Sequence, residues 1–180
     1  MNELEKIYQH KCSSPSDINE HLPTLLRYSQ MCDHVTEFGV REPVSTFALM
    51  YGKPKKMISY DIDMCNYLPV QEMCKGDTDF QFILGDTRDI TIEKTDLLFI
   101  DTLHNYDQIS IELSLHSDKV KRYIIIHDTT SFETRGESYI LKKVERGIWS
   151  AIEEFLIKNH DWILHKRFKN NNGLTILKRI

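Results

Sequence analysis

The chain has 180 residues, 41% of them hydrophobic and 28% charged, with a formal net charge of -4. That length holds one domain with a real core and is too short for two independent ones, while seven glycines and five prolines exclude collagen-like and disordered classes. Basic residues cluster only in "KPKK" at 53–56 and no run reaches the roughly 20 apolar residues that span a bilayer, so neither nucleic acid nor membrane is an expected partner.

The opening "MNELEKIYQHKC" is polar and lacks the apolar segment of a secretory signal. Cys12, Cys32, Cys65 and Cys74 form no Cys-x-x-Cys pair and have no histidines at zinc-finger spacing. They read as reduced thiols, and the expected location is the cytoplasm. "PSDINEHLPTLLRYSQMC" then offers Ser16 or Asp17 as a helix cap, with Leu22, Leu25, Leu26 and Ser29 on one face. A short apolar stretch, "HVTEFGV", leads to "VSTFALMYG", a helix stopped by Gly52. "KMISYDID" is a strand ending in acid, "PVQEMC" a short helix, and "FQFILGD" a strand ending in glycine and aspartate.

"DLLFID" and "RYIIIHD" repeat the pattern of an apolar run closed by a carboxylate. Between them, "QISIELSLHS" alternates as a strand would, yet two buried parallel strands need a crossover, and Tyr106, Ile109, Leu113 and Leu115 also form a helical stripe. The segment is assigned to helix. Ser131 to Arg146 is long for a loop in a compact domain and is expected to act as a lid. "GIWSAIEEFLIKN" follows as an amphipathic helix, and "WILHKRF" and "LTILKRI" flank "KNNNG", a tight-turn sequence that closes an antiparallel hairpin. Trp149 and Trp162 are expected to pack that helix against the sheet and hairpin. Short apolar runs separated by crossovers predict an open α/β sheet, with ligands beyond the carboxyl ends of its strands.

In "EFGVREPVST", "ISYDID", "LGDT", "FIDTLHNY", "IIIHDTT", "GIWSAIEEFL" and "NNNGLTILKR", the chain resembles the class I S-adenosylmethionine (SAM) dependent methyltransferases. Within them it is most similar to metal-dependent O-methyltransferases of small molecules and sugars, some of which are also called cephalosporin hydroxylases. The resemblance implies a Rossmann-like, seven-stranded, mostly parallel sheet with an antiparallel C-terminal hairpin and helices on both faces. Residues 1–180 would form one methyltransferase domain, and the helical segment 1–34 would contribute to the substrate pocket.

The resemblance also implies roles. Glu37 and Gly39 would meet the amino and carboxylate end of SAM, with Ser45 nearby, although Pro43 stands where many relatives carry a second glycine. Asp61, with Asp63 as runner-up, would accept from the ribose hydroxyls, and Gly85 and Asp86 would border the adenine, Asp86 accepting from its amino group. Asp101 and Asp128 would face one another, and two close carboxylates need a cation between them. Their oxygens favour Mg2+, with His127 at an acidic ligand position of some relatives and Thr129 at an amide ligand position of others, either of which could supply the third ligand. His104 would be the general base that frees a hydroxyl for attack on the methyl carbon.

Each residue has a plainer reading. Asp61 and Asp86 could be strand-end caps, Asp101 a cap of the next helix, and His104 a partly buried helix-turn histidine. His127 could belong to the core, because successive strand residues point to opposite faces. Phe47, Met50 and Tyr51 read as core, and His21 as a residue that could border the cofactor. An NAD-dependent oxidoreductase is the rival enzyme class, but "EFGVREP" lacks Gly-x-Gly-x-x-Gly. A non-catalytic SAM-fold binding module is the second rival, and a homo-oligomer is left open.

Overall fold

The computed structural model describes residues 2–74, 76–138 and 143–180. Helices α1 (Glu3–Ser13) and α2 (Leu22–Ser29) precede strand β1 (His34–Phe38), helix α3 (Val44–Tyr51), strand β2 (Lys56–Asp61), helix α4 (Leu68–Met73) and strand β3 (Asp79–Leu84). Strand β4 (Thr95–Ile100), helix α5 (Tyr106–His116) and strand β5 (Val120–His127) come next. A two-residue ribbon, β6 (Arg135–Gly136) with β7 (Glu145–Arg146), leads to helix α6 (Ile148–Lys158) and the hairpin β8 (Trp162–Phe168) and β9 (Leu174–Arg179).

The main sheet has seven strands in the order β3-β2-β1-β4-β5-β9-β8. β3, β2, β1, β4 and β5 run parallel, while β9 is antiparallel to both neighbours, which is the predicted arrangement. Strand order reverses between β1 and β4, the place where open α/β sheets hold ligands.

Period-two alternation sorts the core into two layers. Leu97, Phe99 and Ile125 pack beneath α1, α2 and α3 on one face. Leu98, Ile100, Ile124 and Ile126 pack against α5 and α6 on the other. α5 confirms the helical reading of the alternating segment. Trp162 is buried against Phe155 of α6, and Trp149 carries the Arg167 guanidinium of β8 at 3.6 Å from its ring centre. Phe47 and Met50 are core residues, and Tyr51 packs on Tyr8. Among the described residues, no helix is long and apolar enough to cross a membrane.

The polar opening is helical, capped by the Asn2 side chain on the Glu5 amide, and buries only Leu4 and Tyr8. Two local expectations are corrected. The next helix starts at Leu22, not after Ser16 or Asp17: those two residues are engaged elsewhere, Ser16 through its carbonyl with the Asn171 side chain and Asp17 with Arg41. Gly52 does stand at the C-cap of α3, but with φ -66 it is not left-handed; Lys53 is, at φ 57. Gly52 is required for another reason, since a Cβ there would lie 2.5 Å from the Ser29 hydroxyl of α2. Of the predicted lid, residues 139–142 lie outside the described ones.

Candidate active site

Register lines up the strand ends. Phe38 pairs with Ile100, and Ile100 with Ile126, so Gly39, Asp101 and His127 stand in one row at the carboxyl edge. Gly39 has φ +84, and a Cβ on it would sit 2.0 Å from the Asp101 carbonyl oxygen. Only glycine fits there, and packing alone imposes it.

A cavity of about 350 Å³ opens over this row, within the size range of small-molecule sites. Gly39, Ser45, Asp61 and Asp86 line one side; Asp101, His104 and Asp128 line the other. The N-terminal segment contributes Asp17 and Ile18 to the wall. Asp61 accepts from the amides of Val40 and Arg41 at 2.7 and 2.9 Å and of Asp63 at 2.9 Å. Burial alone would raise its pKa, but these amides hold it below the usual carboxylate range. Asp86 is held low mainly by the Arg88 guanidinium, at 2.6 Å.

Glu37 does not line the cavity. It is fully buried behind the wall, where Ser45, Thr46 and Ser59 donate hydroxyls to it at 2.7, 3.1 and 2.6 Å. Burial pushes its carboxyl up to about 7. Gly85 also stands off the wall; its amide bonds the Asp61 carbonyl at 2.8 Å, tying β3 to β2.

The opposite side is a cluster of two carboxylates and two imidazoles. His104 Nε2 lies 3.2 Å from Asp101 Oδ1 and 3.0 Å from Asp128 Oδ2; His127 Nδ1 lies 3.3 and 3.1 Å from the same two oxygens. Phe132 stacks on the His104 ring at 4.7 Å, and Glu137 Oε2 faces its Nδ1 at 3.1 Å. Both nitrogens of His104 therefore meet acceptors, which requires both protons and makes the ring a cation. Burial would lower each histidine, yet Asp101 and Asp128 outweigh it and raise both to about 10. The carboxylates move the other way: burial opposes ionisation, but the imidazoles hold Asp101 far below its ordinary range and Asp128 at about 2. The neutral His104 expected near pH 7 is therefore not the form this arrangement stabilises.

His127 and Asp128 reach the same site because strand alternation breaks between them. Asp128 has φ +59, a left-handed conformation uncommon for aspartate. The β8–β9 turn enforces it: the Asn172 carbonyl accepts from the amides of Thr130 and Ser131 at 2.8 and 3.0 Å. The Asn171 carbonyl accepts from His127 Nε2 at 3.3 Å and His21 Nε2 at 3.1 Å. His21 thus braces the turn from behind and does not line the cavity.

The donors suit a divalent cation. Asp101, His104 and Asp128 each bring a ligand atom within 4.8 Å of one another, and Asp128 Oδ1 is buried with no hydrogen-bond partner among the described residues. Carboxylate oxygens suit Mg2+, and imidazole nitrogen tilts the set toward an ion such as Mn2+ or Fe2+.

Two contributors escaped the sequence. Glu137 lies in the long loop, where no periodicity marks it. Glu112 is fully buried on α5, and the spacing Gln108–Glu112–His116 on its inner face was the available signal.

The structure has the class I methyltransferase fold, and known proteins agree. No protein-family model matches the sequence, and no curated protein does. Among solved structures, a methyltransferase of Podospora anserina with bound S-adenosylhomocysteine (SAH) superposes with a TM-score of 0.64 at 13% identity, over 100% of this chain and 89% of that one. A Staphylococcus aureus protein assigned as a caffeoyl-CoA O-methyltransferase gives 0.66 at 12% identity, over 100% and 93%. The SAH-bound N-methyltransferase NodS of Bradyrhizobium japonicum gives 0.61 at 11% identity, over 99% of both chains. At such identities the likeness establishes the fold.

Proposed function

We propose that the chain is a SAM-dependent O-methyltransferase acting on a hydroxyl of a small molecule, with a sugar among the candidates, and using a divalent metal. The observation that carries this reading is one cavity at the sheet's switch point with two unlike sides. Asp61 and Asp86 border a space suited to SAM, and Asp101, His104 and Asp128 border the place for the acceptor.

Asp101 and Asp128 would hold the ion, with His127, whose Nδ1 faces the same two oxygens, as nitrogen ligand in place of His104 so that His104 stays free as the base; the ion would supply a Lewis acid that lowers the pKa of an acceptor hydroxyl. His104 takes the proton. To do so it first gives its Nε2 proton to bulk water, and Glu137, accepting at Nδ1, keeps the remaining proton on that nitrogen. Nε2 is then the base. The alkoxide oxygen bonds to the methyl carbon as the carbon–sulfur bond breaks, leaving SAH. Alignment of the two reactants supplies on the order of 7–11 kcal/mol of the barrier reduction.

Calorimetry with SAH, followed by methyl-transfer assays with Mg2+ and Mn2+, tests the reading. Binding of SAH and metal-dependent turnover are expected; no SAH binding at millimolar concentration sinks it.

A further inference from the structure

Glu112 has no place in that mechanism, yet the fold buries it completely. Its Oε1 accepts from the Thr87 hydroxyl at 2.6 Å and from Gln108 Nε2 at 2.8 Å, and its Oε2 accepts from the Thr102 hydroxyl at 3.0 Å. Thr87, Thr102 and Gln108 all line the cavity. Gln108 also donates to the Thr87 hydroxyl at 3.1 Å, and His116 Nε2 lies 2.7 Å from the Thr87 carbonyl. Three successive positions on one face of α5 therefore converge on a single threonine of the cavity wall.

A hydroxyl carries one proton. An ionised carboxylate only accepts, so Thr87 and Thr102 must both spend their proton on Glu112 and have only lone pairs left to offer the cavity, one of Thr87's being taken by Gln108. Asp86, next to Thr87 on the same wall, is an acceptor too. We propose that Glu112 is a positioning residue that makes the Asp86–Thr87–Thr102 wall accept hydrogen bonds without donating any, so that the wall selects a cofactor edge carrying an amino group over one carrying a carbonyl. This rests on the cofactor reading above, in which Asp86 accepts from the adenine amino group, and adds what fixes the polarity of the wall around it.

The direction of the Glu112 shift agrees. Burial raises its carboxyl to about 7 against the hydrogen bonds of Thr87, Gln108 and Thr102. Once protonated it must donate; with the Gln108 amide kept in the orientation that donates to both Thr87 and Glu112, a threonine hydroxyl receives that proton and turns its own hydrogen to the cavity. The charged or titratable groups around it are His116 on its own helix and Asp86 and Arg88 on the loop after β3.

The test compares affinities of SAH and S-inosylhomocysteine, which carries a carbonyl where adenine carries its amino group. In the wild type at pH 8 SAH is expected to bind at least about tenfold more tightly, as a site with committed acceptors rejects a ligand lacking the donor. The ratio is expected to narrow below pH 7. In Glu112→Gln, whose amide can donate, it should narrow to about threefold at both pH values. A folded Glu112→Gln with the wild-type ratio and pH profile overturns the proposal. Should that variant not fold, Thr102→Val reads the same quantity from the cavity surface, and an unchanged ratio there overturns it equally. If the wild type binds neither ligand, the cofactor reading falls and takes this one with it; if it binds SAH without discrimination, only this one falls.

Discussion

Two pairs of carboxylates in this protein, three of the four buried and Asp101 partly exposed, titrate in opposite directions. Glu37 and Glu112, behind the cavity, are raised to about 7, whereas Asp101 and Asp128, on its face, are held low. Burial acts the same way on all four. The partners differ: hydroxyls and an amide donate to the glutamates without bringing charge, while two imidazoles face the aspartates. A neutral donor offsets only part of the desolvation of a buried charge, and a cation can exceed it. The wall behind the cavity therefore holds carboxyls that titrate near physiological pH, and the face holds fixed charges.

The largest effect expected from breaking this contrast is Asp101→Asn. It removes an ion-pair partner of both histidines, and turnover should fall by about a thousandfold or more, since charge stabilisation and metal ligation go together. In metal-free protein the same change should lower the pKa of His104, because burial then faces a single aspartate at Nε2. Proton NMR titration of the histidine rings reads this directly. A His104 pKa unmoved from about 10 would show that Asp101 is not the group that sets it.

The histidines carry their own pH signature. A folded pKa of about 10 against an ordinary 6.5 stabilises the metal-free fold fully below pH 6.5, and that stabilisation disappears as pH rises through 10. Second in size is His104→Ala, which should cut turnover by about a hundredfold to ten-thousandfold while leaving SAH affinity nearly unchanged. Equal losses in both would assign His104 to holding the cavity together, not to proton transfer.

How far the sequence foretold this contrast depends on which kind of bond is involved. Asp101 was legible because it follows an apolar run at the end of a parallel strand, where backbone pairing sets it level with Gly39 and His127; Asp128 stands one residue beyond that row, and His104 was legible through its spacing three residues after Asp101. The sheet order and the hairpin were legible for the same reason. Asp128's left-handed turn was not, since Asn172 carbonyl contacts from a distant segment enforce it. Nor were the true partners of Glu37, two of which lie on α3 and one on β2. Side-chain contacts across elements carry no periodic trace in the chain.

The smallest expected effect is also the cleanest, because it isolates one member of the uncharged pair. Glu37 moves from 4.5 to about 7 on folding, so the unfolded chain releases its proton first and the folded state loses stability as pH rises between those values. Ionising Glu37 inside the fold costs up to about 3 kcal/mol at pH 8. Glu37→Gln cannot ionise, and its amide can still bond Ser45, Thr46 and Ser59, because each hydroxyl can reverse direction. Urea denaturation of variant and wild type should therefore give a stability difference that favours the variant increasingly from pH 5 to 7 and levels off above. The histidine contribution, common to both proteins, cancels in that difference. A difference that stays flat across the window would mean Glu37 is already ionised at pH 5, as the aspartates are, and the contrast between the two pairs would then lie outside the charge of their partners.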